Sequence, residues 1–138
     1  MSTSRRTDTP QKPINIRRIV RDNHSQILAL FHLYRGSPPD SRRAIVDEML
    51  YELACHLELE ELLFREIRRW GPQGGKLVED AEQEHENLKA MVLQLQQFEG
   101  DDDQAIDEFC EDMMQSARAL FINEERDLLP LLDHSSDV

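Results

Sequence analysis

Glu52-Leu53-Ala54-Cys55-His56-Leu57-Glu58-Leu59-Glu60-Glu61-Leu62-Leu63-Phe64 sets a histidine and a glutamate into what is otherwise the oily face of a helix. Read at spacings of three and four, the inward row around it is Met49, Leu53, His56, Glu60, Leu63 and Ile67, the periodicity of an amphipathic helix. His56 and Glu60 are four residues apart, about 40° around the axis at 3.6 residues per turn, so both can point at one ion. Alone, such a pair is weak evidence, because a polar pair on a helix is more often structural.

The neighbouring segments change that weighting. Gly36-Ser37-Pro38-Pro39-Asp40, Gly71-Pro72-Gln73-Gly74-Gly75 and Gly100-Asp101-Asp102-Asp103 punctuate the chain as turns. Asp40 suits an N-cap, and the later aspartates suit a helix N-terminus. Helices are expected near 14–35, 41–70, 76–99 and 102–132. Short connections make neighbours antiparallel, which gives an all-α, up-down-up-down four-helix bundle. The other inward rows are Val20, His24, Ile27, Phe31; Val78, Ala81, His85, Leu88, Val92, Leu95; and Met113, Ala117, Leu120, Glu124, Leu128, Leu131. Each row is apolar except near its middle, where it carries a histidine, a carboxylate or both. A buried carboxylate without a partner costs several kcal/mol or is forced neutral. Four rows interrupted together need a common cause, and a shared cation supplies one.

Length and charge bound the remaining readings. A chain of 138 residues with 39% hydrophobic and 32% charged residues forms one domain with a real core. The expected organisation is a flexible basic tail over 1–13, the bundle over 14–133 and a short C-terminal tail over 134–138. A net charge of −12 argues against nucleic acid. Arg5, Arg6, Lys12, Arg17, Arg18 and Arg21 nonetheless make the beginning basic against Asp8 alone. No apolar run approaches the ~20 residues of a membrane span, and no signal-peptide core is evident, so a cytoplasmic location is expected. Cys55 and Cys110 lack metal or redox spacing and are expected to be buried thiols. No phosphate loop, nucleophile elbow or catalytic triad order appears, which leaves an enzyme without support.

Nitrogen and oxygen ligands without thiolate favour iron or manganese, with zinc possible. The stretch around His56 and Glu60 resembles the hemerythrin-like, or HHE cation-binding, domain. So do Asp22-Asn23-His24, Glu84-His85-Glu86 and Asn123-Glu124-Glu125-Arg126-Asp127-Leu128-Leu129-Pro130, and the likeness covers residues 14–132. It implies a non-heme di-iron centre in a four-helix bundle, with His24, His56 and His85 as terminal ligands and Glu60 and Glu124 as bridges. It also implies a histidine where this chain has Leu120. One or two ions per chain are then expected: one held by His24, His56, Glu60 and Glu124, and a weaker neighbour left with His85 and the two carboxylates. Glu82 or a water near Ser116 could fill the gap. The function implied is binding or sensing of dioxygen, nitric oxide or iron rather than oxygen carriage. The alternative is a metal-free, degenerate bundle that binds a protein partner. The sequence leaves partners and oligomeric state open.

Overall fold

The computed structural model describes residues 15–136, so the basic arm expected at 1–13 lies outside the described residues. Among the described residues the chain is helical and has no strand. The helices are α1 (Ile16–Gly36), α2 (Pro39–Arg68), α3 (Pro72–Gln96) and α4 (Asp103–Asn123). A π turn, Glu124–Leu128, then carries α4 into α5 (Leu129–Ser136), past the expected end at 132.

Local chemistry sets these bounds. The Asn15 side chain accepts from the Arg18 amide and starts α1, and Asp102 accepts from the Gln104 and Ala105 amides and starts α4. Each satisfies amides that the helix leaves without partners. α2 and α3 begin with proline instead, whose missing N–H is no loss there. Asp40 is therefore not the expected cap. Pro39 opens α2, and Asp40 sits in the first turn, where its charge still favours the helix dipole. α3 also begins earlier than expected. Gly71 alone makes the turn, at φ 101°, a conformation that only glycine adopts readily. Gly74 is helical and buried against α2, where a Cβ would collide with the Ile67 carbonyl.

The four long helices form an antiparallel bundle. α1 packs on α2, α2 on α3 and α3 on α4, while α1 closes the ring against α4 and α5. Ion pairs tie the outside: Arg35–Glu111 between α1 and α4, Arg42–Asp107 between α2 and α4, and Lys89–Glu61 and Arg68–Glu82 between α2 and α3. Such solvated pairs add little to stability. The inward rows are buried as the periodicity predicts, except that Leu131 is half-buried and Leu129 is fully buried in its place. The π turn adds a residue to the helical repeat and slips the row. Cys55 is exposed, contrary to the sequence expectation, because it neighbours His56 rather than sharing its face. Cys110 is buried, and burial pushes its thiol up to about 11. No helix among the described residues is long and apolar enough to cross a membrane.

The apolar core falls into two clusters. The larger includes Ile27, Phe31, Met49, Leu53, Leu57, Leu88, Met113, Leu120 and Phe121. The smaller comprises Val20, Leu63, Phe64, Ile67, Val78, Ala81, Leu128 and Leu129. On α1, α2 and α3, and along the run from α4 through the π turn into α5, a polar residue separates the members of one cluster from those of the other.

Candidate metal centre

The separating layer consists of His24, His56, Glu60, His85 and Glu124, all at most 2% exposed. α1 supplies His24, α2 supplies His56 and Glu60, α3 supplies His85, and the π turn supplies Glu124. One ligand atom from each of His24, His56, Glu60 and Glu124 lies within 4.8 Å of the others. His24 Nε2 stands 3.1 Å from Glu124 Oε1, and His56 Nε2 stands 3.1 Å from Glu60 Oε2. His85 shares the layer but not the cluster. Its Nε2 is 2.9 Å from the Leu57 carbonyl and 3.9 Å from Glu60 Oε1.

Leu120 is fully buried within the larger apolar cluster and offers no donor atom. Glu82, a candidate to compensate, is paired with Arg68. Ser116 is half-buried on α4.

The electrostatics of the layer are unfavourable as it stands. Burial raises Glu60 to about 7. Glu124 is raised well above the carboxylate range by burial, and further by Glu60 beside it. Burial lowers His56 to about 4, which keeps the imidazole neutral at pH 7. Glu60 Oε1 and Glu124 Oε2 are buried without a hydrogen-bond partner. Unpaired buried carboxylate oxygens are costly, and a positive ion between them would remove the cost.

Several contributors escaped the sequence reading. Asn23 Oδ1 lies 2.6 Å from His56 Nδ1, and Glu125 Oε2 lies 2.7 Å from His24 Nδ1. Asn123 donates to both Glu84 oxygens, at 2.9 and 3.2 Å, tying α4 to α3 at the same level. The Phe121 ring stacks on His24 at 4.0 Å and meets His56 edge-on at 5.1 Å. In a regular helix, successive side chains diverge by about 100°. An i→i+5 turn carries more residues per turn and narrows that angle. Glu124 and Glu125 can thereby reach the two nitrogens of one imidazole. Only the adjacency of Asn23 to His24 and of Glu125 to Glu124 hinted at these roles, since neither residue lies on an inward row.

Two imidazoles and two carboxylates without thiolate suit a hard or borderline ion such as iron, manganese or zinc. The orphaned oxygens and the neutral imidazole show that the residues present fit such an ion. A family model described as the hemerythrin HHE cation binding domain matches residues 15–132. No curated protein and no solved structure matches the chain.

Proposed function

The chain belongs to the hemerythrin HHE cation-binding family, and from that premise we propose that it holds one iron ion firmly between His24, His56, Glu60 and Glu124. The observation that carries this is a pair of buried carboxylate oxygens without hydrogen-bond partners, on two glutamates that cluster with two imidazoles. His24 and His56 bring neutral nitrogen donors, and Glu60 and Glu124 bring the opposing charge. Phe121 walls the cluster on the side of the two imidazoles. His85 stays beside Glu60, and Leu120 offers nothing, so a second ion would have few ligands. Bound in this site, iron would supply a coordination position for a diatomic ligand. With one well-held ion, binding or sensing of dioxygen, nitric oxide or iron itself suits the chain better than reversible oxygen carriage.

Elemental analysis of protein grown with iron is expected to find close to one equivalent per chain, with an absorption spectrum that changes on adding air or azide. His56→Ala and Glu60→Ala should lose most of that metal. Retention of full metal content by both variants would refute the assignment. The complete burial of Leu120 in the apolar cluster favours a second reading, a metal-free bundle serving as a protein-binding module. That reading predicts a melting temperature indifferent to iron and to chelators.

A further inference from the structure

Each of the three buried histidines commits one ring nitrogen to an oxygen outside the cluster. Glu125 Oε2 lies 2.7 Å from His24 Nδ1, and Asn23 Oδ1 lies 2.6 Å from His56 Nδ1. The Leu57 carbonyl lies 2.9 Å from His85 Nε2. Such an oxygen accepts a hydrogen bond, so the nitrogen beside it is the one placed to hold the ring's proton when the other nitrogen ligates a cation. The three rings are thereby divided. His24 and His56 turn Nε2 toward Glu124 and Glu60, each at 3.1 Å, and keep their shorter contacts, 2.7 and 2.6 Å, at Nδ1. His85 carries its proton on Nε2, the nitrogen nearest Glu60.

We propose that Glu125 and Asn23 are positioning residues that fix His24 and His56 in the Nδ1–H form, and that this division selects which histidines take the ion. The proposal rests on the cation reading above. It gives a reason, separate from the loss of a ligand at Leu120, for a site that uses two of three buried histidines. Both positioning residues come from segments that also carry a cluster member, so the packing of α1 on α2 and against α4 and α5 brings ligands and supports together. Outer hydrogen-bond partners of this kind fix the tautomer and orientation of ligating histidines.

The test begins with the metal-free, full-length protein, read by long-range proton–nitrogen correlation of its imidazoles at neutral pH. His24 and His56 should show protonated Nδ1 and bare Nε2, and His85 the reverse. Asn23→Leu and Glu125→Leu should each mix the tautomers of the ring they touch and weaken zinc binding by roughly 10- to 100-fold. Asn23→Asp and Glu125→Gln keep an acceptor oxygen and should restore most of both. Helix content measured on each variant separates loss of the contact from loss of the fold. His24 protonated on both nitrogens, or tautomers indifferent to the leucine substitutions, would overturn the positioning role. Assigned tautomers in a wild-type chain that takes up no zinc, manganese or ferrous iron would instead overturn the cation reading, and the selecting role with it.

Discussion

Glu60 is the side chain through which pH acts most directly on this fold. In the metal-free protein it titrates at about 7 instead of 4.5, and Glu124 is also raised. His56 moves the other way, from 6.5 to about 4. Below 6.5 the two effects oppose each other: the folded carboxylates bind more protons than the unfolded ones, and the folded imidazole binds fewer. At 6.5 the unfolded imidazole is half titrated, and its opposing contribution fades over about the next pH unit while the raised carboxylates still titrate. The stability of metal-free protein should therefore fall as pH rises from 6.5 through about 7. Urea midpoints at pH 6.5 and 8 are expected to show the drop, and Glu60→Gln should flatten it. A midpoint that rises over this interval would contradict the burial of these carboxylates. Metal uptake should separate the histidines too. His85→Ala is expected to keep most of the cation that His56→Ala loses, since the Leu57 carbonyl holds His85 outside the cluster. Equal losses would mean that the site is more symmetric than the geometry indicates.

Element-scale behaviour turns on one position in each of two helices. At the start of α3, Gly74 lets the backbone approach the Ile67 carbonyl. Gly74→Ala should force the two helices apart and destabilise the protein by about 1–3 kcal/mol, the usual cost of overpacking, despite alanine's better helix propensity. A thermal melt decides, and an unchanged or raised midpoint would count against the close approach. On α4, Leu120 lies on the same buried face as Glu124, one turn earlier. Leu120→His should lower the stability of metal-free protein, because a polar ring replaces packed core. The same variant should raise cation content above that of wild type by completing ligands near His85. Content unchanged in a folded variant would show that Leu120 does not stand at an ion position. The inward rows were legible in the sequence because 3.6-residue periodicity survives in all four long helices. The π turn was not, since a one-residue slip leaves no mark in composition. It showed only as the exchange of Leu131 for Leu129 in the core. The start of α3 was misread for a related reason: three glycines look like a turn, although only Gly71 adopts a positive φ.

At the scale of the whole molecule, a layer of buried polar side chains divides one core into two apolar clusters. A bundle built this way gives up apolar packing at mid-height and needs something to compensate the buried carboxylates. A cation that binds only the folded chain stabilises it by mass action, about 2.7 kcal/mol at a hundredfold excess over Kd. Melting should accordingly move upward with iron or zinc and downward with a chelator, and a melt unmoved by either would favour the metal-free reading. The inward placement of His24, His56, Glu60 and Glu124 could be read from row positions. Their supports could not, because Asn23 and Glu125 serve rings on other helices, and a contact across the bundle leaves no periodic signal along the chain. The turning aside of His85 was equally hidden, as it depends on a backbone carbonyl that every residue possesses.

Anomalous diffraction from crystals of iron-loaded protein, recorded at the iron edge, addresses the central claim most directly. One dominant peak is expected among His24, His56, Glu60 and Glu124, at roughly the 2.0–2.2 Å usual for such nitrogen and oxygen ligands. No peak among those four side chains, or the main peak elsewhere, would contradict it.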